Sequence, residues 1–107
     1  MYETYFGHVC YIDQYSTITL SELIEDRLVK SGTITSTGNC SYICLDIPDI
    51  TFNIVFTADE EFVLESYYDL YWANGVFPTI EADIRYELSI HWNGTGYNAV
   101  LVPFKTI

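Results

Sequence analysis

The chain has 107 residues, the size of one domain, and because half of them are apolar it can bury a core and is not expected to be disordered. Four Lys and Arg residues stand against 15 Asp and Glu residues, which sets the formal net charge at −11 at pH 7. This balance excludes electrostatic binding to nucleic acid or to an anionic membrane, since both surfaces are negative. It favours a partner of positive charge.

The first third of the chain predicts a strand followed by a helix. Residues 2–12 are rich in aromatic and β-branched side chains, which favour a strand. Residues 19–22, Thr-Leu-Ser-Glu, have the spacing of a capping box, and apolar residues then recur at helical spacing as far as Leu28. Because Gly32 can end such a helix, we expect helix 1 over about residues 20–31.

The middle of the chain predicts a hairpin, a strand and a second helix. Residues 33–37 and 41–47 flank a Gly-Asn pair, which is typical of a hairpin turn. Residues 50–57 alternate strictly between apolar and polar side chains, the period of a half-buried strand. Residues 57–60, Thr-Ala-Asp-Glu, form a second capping box, so we expect helix 2 from there to about Ala73.

The last third predicts an antiparallel hairpin. Residues 84–92 again alternate at period 2, and a turn of sequence Asn-Gly-Thr-Gly leads into a second apolar run at residues 97–104. The predicted order is therefore β-α-β-β-β-α-β-β within a single domain, residues 1–107. This order indicates an α+β fold: an antiparallel sheet of about five to six strands with two helices packed on one face.

The predicted binding surface is the outer arc of helix 2. No lysine or arginine occurs among residues 31–84, and three carboxylates of the arc repeat at i,i+4, where each like-charged pair costs about 0.2–0.5 kcal/mol. Two large aromatic residues, of types that often anchor interfaces, share the arc. The predicted partner-binding residues are Glu61, Glu65, Tyr68, Asp69 and Trp72, together with Asp46 and Asp49. Glu81 and Asp83 are the next candidates, and the alternative is an acidic face that contacts only solvent.

Catalytic and metal sites are not predicted. General acid and base catalysis requires carboxylates whose pKa values differ in a cleft, and no pattern here indicates a cleft. The five residues that could bind zinc lack the usual C-x₂-C or H-x₃-H spacing: His8, His91, Cys10, Cys40 and Cys44. We therefore expect no enzymatic activity, no cofactor and no metal, with the three thiols reduced and buried in the core; a zinc site is the alternative.

These features favour an inhibitor of a basic protein. In size and acidity the chain resembles the small phage-encoded inhibitors of bacterial defence, the anti-CRISPR and antirestriction proteins, some of which imitate nucleic acid. The resemblance implies a protein that occupies a partner's nucleic-acid-binding groove. Two alternatives remain: an immunity protein or antitoxin that neutralises a nuclease toxin, and a structural or interaction module without catalytic activity. With neither a leader sequence nor a membrane-spanning run, we expect a cytoplasmic protein that binds neither membrane nor nucleic acid directly.

Overall fold

The computed structural model describes residues 8–25 and 29–105, and most of them lie in strands. One helical turn, α1 (Leu20–Leu23), and one 3-10 turn, Ala73–Gly75, interrupt the strands. The strands are β1 (His8–Asp13), β2 (Thr17–Thr19), β3 (Ser31–Cys40), β4 (Tyr42–Leu45), β5 (Thr51–Ala58), β6 (Glu65–Ser66), β7 (Asp69–Trp72), β8 (Arg85–Trp92) and β9 (Gly96–Phe104).

The strands form two sheets. The larger sheet has the order β1-β3-β5-β8-β9-β7, in which β1, β3 and β5 are parallel, β8 is antiparallel to both β5 and β9, and β7 is parallel to β9. The smaller sheet has the order β2-β4-β6 and is parallel throughout. Because the chain passes from the larger sheet to the smaller one after β1, β3 and β5, its first half stacks like the coils of a solenoid.

The core lies between the two sheets and is built by period-2 alternation. Ile34 of β3 pairs with Ile54 of β5, which pairs with Leu88 of β8, and all three side chains are fully buried. In the smaller sheet, Ile18 pairs with Ile43, and both are likewise buried. Each strand therefore contributes every second residue to one continuous apolar core. The longer runs of alternating apolar and polar residues in the sequence predict this pattern.

The predicted α+β fold, an antiparallel sheet with two helices packed on one face, is wrong, because the larger sheet is mixed and neither predicted helix forms at its expected length. Helix 1 is reduced to α1, whose Ile24 amide donates to the Leu20 carbonyl at 2.7 Å, and the Thr19 side chain makes no cap bond. Residues 26–28 lie outside the described residues. Ile18 of β2 and Leu20, the first residue of α1, are buried at period 2, so these two apolar residues reach the core without a longer helix.

Helix 2 is absent because its residues are extended. Residues 61–72 alternate without exception between exposed odd positions and buried or half-buried even positions, and they include β6 and β7. The Thr57 hydroxyl, the predicted cap, instead accepts a hydrogen bond from the Arg85 guanidinium at 2.8 Å. Across the described residues, no helix is long and apolar enough to cross a membrane.

Among the remaining strand predictions, one strand and one hairpin are confirmed, and a second hairpin is wrong. The strand at residues 50–57 and the hairpin at residues 84–104 are confirmed as β5 and as the antiparallel pair β8 and β9. The hairpin predicted at residues 33–47 is wrong: β3 continues through the Gly-Asn pair, and β4 lies in the other sheet. The predicted first strand is present from His8 onward, while residues 2–7 lie outside the described residues.

Candidate partner-binding surface

The five residues of the predicted arc do not share one face. Glu61, Glu65 and Asp69 are exposed, whereas Tyr68 and Trp72 are half-buried and pack against the core. On an extended segment, odd and even residues point to opposite sides, so the acids and the aromatic residues are separated. The common surface predicted from helical spacing is therefore wrong, and a binding role for any of the five stays a prediction.

Tyr68 and Trp72 make contacts inside the protein. The Tyr68 ring packs edge-on against Trp92 and Tyr97, with centroids 5.3 and 6.4 Å apart, and Trp92 packs against Tyr97 at 5.1 Å. Trp72 packs against the exposed ring of Phe77 at 5.5 Å. Edge-to-face pairs of this kind contribute about 0.5–1.5 kcal/mol beyond area burial, so these aromatic residues stabilise the fold.

Buried phenol and thiol groups make the protein sensitive to alkali. Tyr97 is fully buried and its hydroxyl donates to the Ile47 carbonyl; burial first, then the neighbouring Tyr68 and the acids Asp49 and Asp46, raise its pKa. Burial also raises the pKa of Cys40. In both cases the folded state holds the proton more tightly than the unfolded state does.

We therefore expect the free energy of unfolding to fall as the pH rises. In the unfolded chain the Cys40 thiol deprotonates near pH 9 and the Tyr97 phenol near pH 10. Their contribution to stability is therefore complete below this pH range and is lost progressively above it. Urea titrations at increasing pH should show this decline, and Tyr97→Phe should make it shallower because one linked proton is removed. An equal pH slope in wild type and variant would contradict the assignment to Tyr97.

Asp46 and Asp49 have local structural partners. The Asp46 carboxylate accepts hydrogen bonds from the Ser21 amide, at 2.9 Å, and from the Ser21 hydroxyl, and so joins α1 to the end of β4. Asp49 has a left-handed backbone with φ of 65° and forms an ion pair with Lys30 at 3.3 Å. Both acids are therefore engaged within the chain, and their predicted role in binding stays a prediction.

Five carboxylates, including Glu61 of the predicted arc, lie at one end of the larger sheet, where β5 ends and β8 begins. We call this group the acidic end: Asp59, Glu60, Glu61, Glu81 and Asp83. All five are exposed. Backbone hydrogen bonds join the two segments that carry them, from Asp83 to the Ala58 carbonyl at 2.9 Å and from Phe62 to the Ile80 carbonyl at 3.4 Å. The acidic end is therefore held by the sheet and not by a loop alone.

The backbone is irregular where the two acidic segments meet. Thr57 pairs with Arg85 in the sheet, and an isolated bridge pairs Phe62 with Ile80. Between these pairs the Ala58 amide donates to the Ile84 carbonyl, whereas the Ala58 carbonyl accepts from the Asp83 amide, and Asp83 has a left-handed backbone. The acids after β5 and the acids before β8 are therefore carried by neighbouring segments.

No described cation neutralises the acidic end. Arg85 is next to it in the sequence, but its guanidinium donates to the Thr57 hydroxyl and, at 3.3 Å, to the Ser36 carbonyl. Within residues 8–25 and 29–105, the ion pair between Lys30 and Asp49 is the only one that the structure contains. Five exposed carboxylates on neighbouring segments, without an ion pair among the described residues, attract cationic surfaces.

Sequence reasoning missed part of this surface. Asp59 and Glu60 were not predicted to bind, because they were assigned to the first turn of helix 2, and Glu81 and Asp83 were only reserve candidates. The missing information was the pairing of β5 with β8. Both strands were predicted, so pairing them would have brought the acids after one strand close to the acids before the other.

The cysteines provide no alternative site in the described chain. Cys40 and Cys44 are buried and free, as predicted, whereas Cys10 is exposed, so its predicted burial is wrong. Burial raises the pKa of the Cys44 thiol, which keeps it protonated and unreactive at neutral pH. Among the residues that the structure describes, no group of three or more His, Cys, Asp or Glu side chains is arranged to hold a metal ion.

Comparisons of the chain with protein-family models, with curated proteins and with solved structures find no match. Its function is therefore inferred from the geometry and charge of its surface. The acidic end is a group of exposed carboxylates that forms no ion pair among the described residues.

Proposed function

We propose that this protein is a small acidic inhibitor that acts in the cytoplasm and docks its acidic end into a basic, nucleic-acid-binding groove of another protein. The observation that carries the proposal is the group of five exposed acids on the neighbouring segments after β5 and before β8, none of which forms an ion pair with a described base. Such a group gains favourable interactions when a cationic partner supplies the missing charges.

The test neutralises the acidic end without changing its shape. The variant combines Asp59→Asn, Glu61→Gln, Glu81→Gln and Asp83→Asn; asparagine also tolerates the left-handed backbone at position 83, where φ is 65°. The control removes charges from exposed acids that lie outside the acidic end and were not predicted to bind: Asp13→Asn, Glu22→Gln and Glu25→Gln. Wild type and both variants are immobilised, exposed to a cell lysate at low and high salt, and the retained proteins are identified and purified.

We expect wild type and control to retain nucleic-acid-binding proteins at low salt, and the acidic-end variant to lose them. With a purified partner, the variant should associate about tenfold more slowly, because steering by charge acts on the on-rate and is screened by salt. Free wild-type protein should displace DNA or RNA from that partner. Retention of the same proteins by the acidic-end variant, or retention of proteins that bind no nucleic acid, would count against the proposal.

A further inference from the structure

Asparagine followed by glycine occurs twice in the chain, at residues 74–75 and 93–94. In such a pair the backbone nitrogen of the glycine can attack the side-chain carbonyl carbon of the asparagine, because glycine has no side chain to hinder the approach. In a folded protein the rate of this attack depends on how easily the two groups reach the required geometry. The two pairs of this chain lie in turns that restrain the asparagine very differently.

The Asn93 side chain is fixed by hydrogen bonds in the turn between β8 and β9. Its Oδ1 atom accepts from the Thr95 amide at 2.9 Å, the Thr95 hydroxyl at 3.1 Å and the Gly96 amide at 3.0 Å. Its Nδ2 atom donates to Oδ1 of Asn98 at 2.9 Å. Because attack by the Gly94 nitrogen requires the carboxamide to turn out of these bonds, the turn protects Asn93.

The Asn74 side chain has no comparable restraint. It is exposed, and it forms no hydrogen bond with another residue of the described chain. Its backbone is left-handed, with φ of 62° and ψ of 9°, so the Cα–C bond must rotate to bring the Gly75 nitrogen to the side chain. Space for this rotation is available, because residues 73–77 are all exposed and a Cβ atom built at Gly75 meets no atom within 4 Å.

We propose that Asn74 is a site of spontaneous deamidation and that Asn93 is protected in the same molecule. The Gly75 nitrogen bonds to Cγ of Asn74, the Cγ–Nδ2 bond breaks, and the amide proton of Gly75 leaves with the NH₂ group as ammonia. The cyclic succinimide that results takes up water. Opening at one carbonyl gives aspartate at position 74, and opening at the other gives isoaspartate, in which the backbone runs through Cβ.

The modification changes the surface beside Trp72. Either product adds a carboxylate to a protein whose net charge is already −11. Isoaspartate also lengthens the backbone within the turn Ala73–Gly75, which separates Trp72 from Phe77 in the chain. The two rings are in contact, with centroids 5.5 Å apart, so we expect isoaspartate to shift Phe77 and to change tryptophan fluorescence.

The test follows both pairs in one sample. Trypsin cleaves after Lys30 and Arg85 and finds no Lys or Arg between them, so Asn74 and Asn93 fall in different peptides. The folded protein is incubated near neutral pH at physiological temperature, and the deamidated fraction of each peptide is measured over time by mass spectrometry. Isoaspartate is counted by enzymatic methylation with S-adenosylmethionine. A parallel incubation in urea gives the rates of the unfolded chain.

Two variants assign the products to their sites. Asn74→Gly removes the reactive side chain and tolerates the left-handed backbone, so the product should disappear from its peptide, in which no other asparagine precedes glycine. Thr95→Val combined with Asn98→Ala removes two hydrogen-bond partners of Asn93 at exposed positions. This double variant should raise the rate at Asn93 towards its value in urea.

We expect the folded protein to react at least about tenfold faster at Asn74 than at Asn93, and the two rates in urea to agree within about threefold. Equal rates in the folded protein, a faster reaction at Asn93, or no reaction at Asn74 while the unfolded chain reacts would overturn the proposal. An unchanged rate at Asn93 in the double variant would overturn its protection by hydrogen bonds.

Discussion

Replacing Phe56 with alanine is expected to lower the free energy of unfolding by about 3–5 kcal/mol, the cost of truncating a fully buried aromatic residue. Phe56 is completely buried, and its ring packs against Tyr86 and Phe62 with centroids 5.6 and 6.1 Å apart. Few neighbouring groups can move into the cavity, because Phe56 belongs to β5, a central strand paired on both sides. Urea denaturation followed by tryptophan fluorescence measures the loss.

The matched control is Phe104→Ala. Phe104 is the same residue type in the same sheet, but 53% of its side chain is exposed, and we expect a change within about 0.5 kcal/mol. Because Phe56 also contacts Phe62, which is part of the bridge to Ile80, the Phe56 variant should loosen the acidic end as well. Similar losses of stability in the two variants would mean that β5 is not at the centre of the core.

Replacing Gly96 with alanine is expected to cost about 1–3 kcal/mol, because a side chain there has no space. A Cβ atom at Gly96 would lie 2.5 Å from the Asp69 backbone oxygen and 3.1 Å from the Tyr71 ring. The nearest atom belongs to the backbone of β7, so relief of the clash requires that whole strand to move away from β9. Hydrogen exchange should therefore show reduced protection at residues 69–72 together with the loss of stability.

The control for this prediction is Gly75→Ala. A Cβ atom at Gly75 meets no atom within 4 Å, and its cost comes only from the left-handed backbone, with φ of 67°. We expect about 1 kcal/mol and unchanged protection of β7. Normal protection of residues 69–72 in the Gly96 variant would contradict the pairing of β7 with β9.

Residues 61–72 show how one pattern was interpreted with the wrong period. Their even positions, Phe-Leu-Ser-Tyr-Leu-Trp, face the core and their odd positions, Glu-Val-Glu-Tyr-Asp-Tyr, face solvent. The same residues also place acids at i,i+4, so helical and extended periods both fit. A capping box before the run favoured the helix, but local signals of this size, about 1 kcal/mol, are smaller than the burial of aromatic residues against a sheet.

The hairpin predicted at residues 33–47 failed for a different reason. Alternation in residues 33–37 and 41–47 correctly indicated extended chain, but alternation does not say which strand is the neighbour. The Ser41 amide donates to the Ser16 carbonyl at 2.9 Å, which connects this corner to the preceding coil of the chain. The two strands therefore diverge into different sheets, and each finds its partner in another coil.

The sequence by itself determined the net charge, the strand predicted at residues 50–57 and found as β5, and the hairpin of β8 and β9, because these depend on composition, alternation and a local turn. Only the tertiary structure decided that β5 pairs with β8 and that the first half of the chain forms parallel coils. Parallel and long-range pairings depend on which apolar faces can be buried together, and no local spacing encodes that choice. The acidic end is a consequence of those pairings.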